Sequence, residues 1–374
     1  MINILMCVDS FEVGGVTEVV KTIYKKIDCS KYHIDFLSMR RLDSEFESEV
    51  VRANSKIFYI DLPALNGIPV LNYNIRILSV LNQMKRWNVT LHYDVAHIHA
   101  HADIYTVVAK KMKIPNIVIH AHEAIGELGG DKNKSILMRF VQNKRKHLYL
   151  KNARWLVGDS LKACKAKFGE PNISDSRIKV IYPPVDSDRF NVIRYSKSDA
   201  IIKYNIIEDK LNLIHVGRLS AVKNQFFLID IIEALRNITD CHLYIVGEGE
   251  LEVPLHEYIN NKGLTDHITM LPADTPPLIY TAMDYSIFPS LSEAFGMVAV
   301  ESQFMETPCF ASTNVPSDVD LGFCYFLSLD KGPKYWAETI YSVSKTADNN
   351  PRSNLGKFTV SEFIKGIDEI YDDS

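Results

Sequence analysis

Residues Leu211 to Asn224 read LNLIHVGRLSAVKN: a short apolar run that stops at a glycine, a polar loop with two cations, and the approach to a helix-like segment. A strand that feeds a loop and then a helix is the repeating unit of a parallel sheet, because parallel neighbours need crossover connections. The same unit recurs almost from end to end. Before it come INILMCV, YHIDFLSM, KIFYID, DVAHIHA, NIVIHAH, WLVGDS and KVIYP; after it come HLYIVG, HITMLP, YSIFPS, TPCFAS and CYFLSL. Two such series predict an α/β protein with two Rossmann-like, doubly wound domains facing across a cleft. Between the series, VIYPPVDSDRFNVIRYSKSD sets two adjacent prolines before a polar stretch and marks the linker. The expected domains are therefore residues 1–190 and 191–357. The last stretch, TVSEFIKGIDEIYDD, spaces Val360, Phe363, Ile364, Ile367 and Ile370 as one helical face, so residues 358–374 are expected to form a helix that packs back onto the first domain.

The totals place this chain among soluble globular proteins. With 374 residues, 47% of them hydrophobic and 24% charged, it can bury a sizeable core. No apolar run approaches the roughly 18 residues that cross a bilayer, and the opening MINILMCVD lacks a charged start and a cleavage site. Cys7, Cys29, Cys164, Cys241, Cys309 and Cys324 show no metal-ligand spacing, which suits reduced thiols in the cytoplasm, without disulfides or zinc. Charge is unevenly spread. Residues 1–190 hold 28 Lys and Arg against 20 Asp and Glu, and the remainder holds 14 against 26. The two halves therefore present different surfaces to partners.

Ligands of open parallel sheets sit at the carboxyl ends of the strands, so the chemistry is sought in the loops that follow them. After the first strand, Gly14 and Gly15 precede a helix, and missing Cβ atoms let backbone amides approach a ligand there. After HLYIV comes Gly247-Glu248-Gly249-Glu250, where a glutamate replaces the third glycine of a dinucleotide fingerprint and argues against a nicotinamide site. After LNLIHV, Arg218 offers a fork of donors to phosphate oxygens, and Lys223, entering the next helix, adds a point charge. After YSIFPS comes SLSEAFGMVAVE, in which Glu293 lies in a loop and a helix starts near Gly296 or Met297. A carboxylate beside free helix-start amides can hold sugar hydroxyls and phosphate together. Glu301 lies more than a turn into that helix and does not form an acid–base pair with Glu293.

These residues resemble a known family. EAFGMVAVE matches the Glu-x7-Glu signature of retaining glycosyltransferases of family four, which have the GT-B fold. GRLSAVKNQ looks like their Gly-Arg-Leu…Lys-Asn loop, LYIVGEGE their Val-Gly-x-Gly turn, and VIYPPVDSDRF their linker motif. EVGGVTEVV, KYHIDFL and IVIHAHE are similar to the subgroup that makes capsules and exopolysaccharides. The resemblance implies transfer of a sugar from a nucleotide diphosphate to a glycan or lipid-linked acceptor, with retention, without metal or other cofactor, and with a UDP-sugar as the favoured donor. It implies that Arg218 and Lys223 contact the donor diphosphate, Glu293 the donor sugar and Glu301 the ribose. The amides of Ala294, Phe295, Gly296 and Met297 would lie near sugar and phosphates, Gly14 and Gly15 would leave room for the diphosphate, and His122 would face the reacting sugar. Two departures stand out: Glu306-Thr307-Pro308 where the family has glycine before Thr-Pro, and Pro183-Pro184 where it has Asn-Gly. A catalytically silent binding protein and a nucleotide-sugar epimerase of the same architecture are the competing readings.

Three other features are weighed against structural explanations. HIHAH puts His97, His99 and His101 on one strand face, echoed by His120 and His122; without a suitably spaced carboxylate or thiolate they read as hydrogen-bonded histidines, not a metal set. Asp186-Ser187-Asp188 and Asp318-Val319-Asp320 read as loop or cap residues. Residues 132–154 hold eight Lys and Arg and no acid, with Ile136, Leu137, Phe140, Val141 and Leu148 at near-helical spacing. That basic face predicts contact with an anionic membrane surface, at the inner face of the plasma membrane, where lipid-linked acceptors reside. No nucleic-acid motif accompanies it.

Overall fold

Every residue of Cys241–Val246 is buried, with none of the alternation of a half-exposed strand, because helices cover both faces of a parallel sheet. The computed structural model describes residues 1–12, 14–60, 69–87, 92–122, 136–186, 189–273, 275, 277–346 and 355–373. The chain divides into two compact units, Met1–Pro184 with Val360–Ser374, and Val185–Thr359. The division falls just after the two prolines, ahead of residue 190, because the next segment packs with the second unit. There Val185 is buried and its N–H donates to the Phe358 carbonyl at 2.8 Å.

The first unit holds strands β1 (Ile2–Val8), β2 (Tyr32–Ser38), β3 (Ile57–Tyr59), β4 (Val95–Ile98), β5 (Asn116–Ala121), β6 (Trp155–Gly158) and β7 (Ile178–Val180). They form one sheet in the order β3-β2-β1-β4-β5-β6-β7, with every pair parallel. Helices α1 (Gly15–Lys26), α2 (Glu45–Arg52), α3 (Pro69–Arg86), α4 (Ala102–Lys111), α5 (Ile136–Asn152) and α6 (Leu161–Phe168) connect them. The second unit holds β8 (Leu211–Val216), β9 (Cys241–Val246), β10 (Ile268–Leu271), β11 (Tyr285–Phe288), β12 (Cys309–Ser312) and β13 (Cys324–Leu327). Its parallel order is β10-β9-β8-β11-β12-β13. Its helices are α7 (Lys197–Tyr204), α8 (Gln225–Leu235), α9 (Glu252–Asn261), α10 (Met297–Phe304) and α11 (Gly332–Thr346). Each expected strand is present, and the core of each unit is built from strand residues and one face of each helix: Ile4, Met6 and Phe36 with Val19 and Ile23 in the first, Leu213, Ile245 and Ile287 with Ile231 and Trp336 in the second.

The last helix, α12 (Val360–Asp372), belongs to the first unit. Phe363, Ile367, Ile370 and Tyr371 are fully or almost fully buried in that unit's core. Close approach is possible at Gly366, where an added Cβ would meet the Ile181 side chain at 3.2 Å. No helix among the described residues is long and apolar enough to cross a membrane.

Candidate active site

In both sheets the strand order reverses once, between β1 and β4 and between β8 and β11. Such a reversal opens a crevice at the strand ends, because the two adjacent loops depart to opposite faces. The loops carrying Arg218, Lys223 and Glu293 follow β8 and β11. The sequence separates Lys223 from Glu293 by seventy positions, and the sheet brings them together: Lys223 Nζ lies 2.5 Å from Glu293 Oε1. Ser290 Oγ donates to the same oxygen at 2.8 Å. Backbone contacts tie the loops to each other, with the Leu291 N–H donating to the Val222 carbonyl at 2.8 Å and Asn224 Nδ2 to the Pro289 carbonyl at 3.0 Å. Lys223 and Glu293 are mostly buried, whereas the Arg218 side chain is 73% exposed, its guanidinium 3.3 Å from Glu250. A half-shielded ammonium–carboxylate pair, with an exposed guanidinium on the same loop, can bind an anion and a polyol at once.

A buried histidine supports this loop pair from below. His215 Nδ1 donates to the Ile287 carbonyl at 2.7 Å, bridging β8 to β11. Burial pushes its pKa down to about 4, so the ring stays neutral at neutral pH. The glycines of Gly247-Glu248-Gly249-Glu250 have a packing role that the sequence did not reveal. An added Cβ would come within 2.0 Å of the Gly217 carbonyl at Gly247, and within 2.4 Å of the Leu219 carbonyl at Gly249. They let this turn lie against the Gly217–Leu219 backbone.

Helix α10 starts at Met297, with Gly296 in the left-handed region (φ 105°) as its N-cap and no side-chain cap. The turn before it leaves Phe295 buried, its ring 5.6 Å from that of Phe358. Phe295 is thus a core side chain whose main chain belongs to the helix start. Glu301 lies on the second turn of α10, half-buried. The hydroxyl of Tyr280 is buried without a partner, and burial together with the Glu301 charge raises its pKa well above that of free tyrosine. At the far end of α10, Glu306 takes the left-handed conformation (φ 63°) that glycine favours. The departure Glu306-Thr307 therefore keeps the turn: the Thr307 N–H donates to the Ser302 carbonyl at 2.9 Å.

In the first unit, Gly14 and Gly15 open α1. An added Cβ at either would meet nothing within 4 Å, so packing does not require glycine there, in contrast to Gly247 and Gly249. The histidine run needs a correction. His99 lies just past β4, and His101 leaves the strand face altogether, taking φ 46° as the N-cap of α4 and pairing with Asp9 at 2.7 Å. A carboxylate does join the remaining four, contrary to the sequence expectation: Asp159, which follows β6, lies 3.1 Å from His120 and 2.8 Å from His122. Its donor atoms and those of His120 and His122 fall within 4.8 Å of one another, as do those of His97, His99 and His120. The His122 side chain is only 2% exposed, and its other ring nitrogen lies 2.8 Å from His99. What His122 offers outward is its main chain.

Asp320 is a turn residue, accepting from the Gly322 and Cys324 N–H groups at 2.8 and 3.1 Å. Ser187 and Asp188 of the other Asp-x-Asp string lie outside the described residues, as do residues 132–135 of the basic stretch. The rest of that stretch is α5 and the turn after it. With α4, it borders an open hollow of about 550 Å³ lined by Lys110, Asn143, Lys144, His147, Leu148 and Lys151 among others. Arg145 is turned to Asp103 at 2.8 Å.

Comparison with known proteins bears on the fold and on the class of enzyme. Residues 196–320 match the family described as Glycosyl transferases group 1. EpsF of Bacillus subtilis (strain 168), named as a glycosyltransferase, is 27% identical over 360 residues, covering 93% of this chain and 89% of EpsF. The capsular polysaccharide biosynthesis glycosyltransferase CapH of Staphylococcus aureus is 26% identical over 180 residues, 46% of this chain and 50% of CapH. Among solved structures, Anabaena HepE in complex with UDP and glucose superposes with a TM-score of 0.75 over 100% of both chains, at 16% identity. That last likeness carries the fold, two parallel-sheet domains of the GT-B type. The chain thus contains a Glycosyl transferases group 1 domain in its second unit and is a glycosyltransferase with the GT-B fold.

Proposed function

We propose that this chain transfers a hexosyl or N-acetylhexosaminyl group from a UDP-sugar to a glycan or lipid-linked acceptor, with retention and without a metal, in the synthesis of a bacterial surface polysaccharide. The observation that carries this reading is the meeting of Lys223 and Glu293 at 2.5 Å, beside exposed Arg218 on the same loop. Loss of a nucleoside diphosphate builds negative charge on the leaving oxygens, and fixed cations stabilise it as it forms. Lys223 and Arg218 supply two such cations from this chain. Glu293, held by Ser290 and Lys223, presents a carboxylate to sugar hydroxyls, while the amides of Ala294 to Met297 donate to sugar and phosphates. Glu301 takes the ribose, Gly14 and Gly15 leave room for the diphosphate, and His122 faces the reacting sugar. The second unit is the donor-binding domain and the first the acceptor-side domain. Polysaccharide synthesis is supported by the name of CapH, and a UDP-linked donor by the UDP bound to HepE.

The proposed site of action is the cytoplasmic face of the membrane. The lysines around the α4–α5 hollow support contact with anionic lipid there. Sedimentation with liposomes tests this: binding should rise with anionic lipid and fall on charge reversal of Lys144 and Lys151, and indifference to both removes the idea.

The donor is tested by thermal shift against UDP-, GDP- and ADP-sugars. A ligand at 100 times its Kd adds about 2.7 kcal/mol of stability, so the true donor should stand apart. No shift with any UDP-sugar would exclude the preferred donor.

A further inference from the structure

Four imidazoles of the first unit form two flat layers that share the Asp159 carboxylate, and the Tyr371 hydroxyl joins one of them from a ring turned 83° to that of His97. In one layer the Tyr371 hydroxyl lies 2.6 Å from His97 Nδ1, His97 Nε2 lies 3.2 Å from His120 Nδ1, and His120 Nε2 lies 3.1 Å from Asp159 Oδ1. In the other, His99 Nδ1 lies 2.8 Å from His122 Nε2, and His122 Nδ1 lies 2.8 Å from Asp159 Oδ2. Within the layers the ring planes differ by only 3° and 13°. The layers stack on each other, His97 over His99 and His120 over His122, each pair with centroids 4.2 Å apart.

The direction of every one of these bonds follows from Asp159. An ionised carboxylate can only accept, so His120 must turn Nε2–H to it and His122 must turn Nδ1–H. With one proton on each ring, the opposite nitrogens are acceptors. His120 Nδ1 then accepts from His97 Nε2–H, and His97 Nδ1 accepts from the Tyr371 hydroxyl, which has a proton to give. In the other layer His122 Nε2 accepts from His99 Nδ1–H, which leaves His99 Nε2 as a bare lone pair. That atom is the one ring nitrogen of the four that is buried without a partner. The scheme thus accounts for the orphan as the loose end of a layer. It also disfavours a metal, because every imidazole lone pair except that of His99 Nε2 is taken up by a neighbour's proton.

We propose that Asp159 is a positioning residue for glycosyl transfer: its carboxylate sets the direction of both layers, holds His122 in place, and puts a fixed negative charge behind it. This rests on the reading above in which His122 faces the reacting sugar. Departure of the diphosphate builds positive charge at the anomeric carbon, and a buried carboxylate backed by aligned imidazoles favours that charge more than it favours the neutral ground state. The burial that raises the Asp159 pKa is outweighed by its two histidine partners, His122 and His120, which donate hydrogen bonds to it, so the group stays ionised. The same burial lowers the pKa of His97, His99 and His120, which keeps those rings neutral.

Asp159→Asn is the test, because it keeps the shape and replaces one acceptor by a donor. One layer must then reverse. Reversing the Tyr371 layer would strand a hydroxyl proton at a fully buried position, whereas reversing the other only exchanges a lone pair for an N–H at His99 Nε2. Nitrogen NMR of the histidine-labelled full chain should therefore show His122 and His99 as Nδ1–H in the wild type and Nε2–H in the variant. His97 and His120 should be Nε2–H in both. Turnover should lose about ten- to hundred-fold in kcat, with KM for the nucleotide sugar changed by less than about two-fold. A different set of tautomers in the wild type, a metal ion found on the cluster by elemental analysis, or a reversed layer with unchanged kcat would each overturn the proposal. Should the variant fail to fold, the wild-type tautomers alone still decide the polarity. A wild-type chain that turns over no nucleotide sugar would instead overturn the reading of the reaction, since the nitrogen shifts need no substrate.

Discussion

Lys223 and Glu293 satisfy each other in a half-shielded setting, so removing either leaves a charge poorly solvated as well as deleting a ligand contact. Lys223→Ala is expected to lower kcat by about 100- to 1000-fold, the loss typical of one fixed charge-stabilising group. Arg218→Ala should act in the same direction with little effect on folding, since that side chain is mostly exposed. Steady-state kinetics with the donor found by thermal shift decides this, and full turnover by both Arg218→Ala and Glu293→Ala would refute the site. At this scale the placement of Arg218, Lys223 and Glu293 in loops after β8 and β11, and of Glu301 on α10, was legible because each sits in a short local motif. Asp159 was not. The stretch WLVGDS carries no spacing that relates it to His120 or His122, and only the pairing of β5 with β6 places them side by side. His101 misled for the opposite reason: alternation holds only while the chain stays extended, and the strand ends at Ile98.

Two glycine-related positions show how the elements are set. At Gly247 an added Cβ would overlap the Gly217 carbonyl, a backbone atom that cannot swing aside. Gly247→Ala should therefore cost about 2–4 kcal/mol, the range of strongly misfitting substitutions. Glu306 presents the reverse case, a non-glycine residue at φ 63° just past α10. The left-handed region costs an L-residue roughly 1–2 kcal/mol, partly offset by the greater chain entropy that glycine loses, so Glu306→Gly should gain about 0.5–1 kcal/mol. Urea unfolding midpoints check both, and a stabilised Gly247→Ala would show that the turn is not packed as described. The strands were the most legible elements, because a sheet covered on both faces needs unbroken apolar runs. The dual use of glycine was less so: Gly247 and Gly249 serve a backbone contact, and nothing local distinguishes them from glycines that admit a ligand.

For the whole molecule, α12 is the tie that closes the first unit. Four of its side chains are buried there, each worth about 1.5–3 kcal/mol, which together rivals the net stability of a typical domain. Deleting residues 360–374 should leave a chain that aggregates or melts without cooperativity, and a soluble, cooperatively unfolding truncation would contradict this. Acid should destabilise the fold early. His120 and His215 have pKa values lowered to about 4 by burial, against about 6.5 in the unfolded chain. Between those values the unfolded state binds more protons, so stability is complete above about pH 6.5 and falls as pH drops toward 4. His215 alone ties up roughly 3 kcal/mol in this way. Tm should decline steadily from pH 7 to pH 5, and a flat profile would mean that these rings take up protons without unfolding.

From its residues alone, this protein was committed to the thirteen apolar strands seen among the described residues, with helical crossovers, and to a cationic loop after one of them, because strand patterning, turns and helix starts are set by neighbours a few positions away. Whereas the return of α12 to the first unit was already written in its apolar face, the ion pair of Lys223 with Glu293 and the union of four histidines with Asp159 were decided by the tertiary structure. Each joins segments far apart in the chain, and only the order in which parallel strands lie side by side determines which strand ends, and so which side chains, become neighbours.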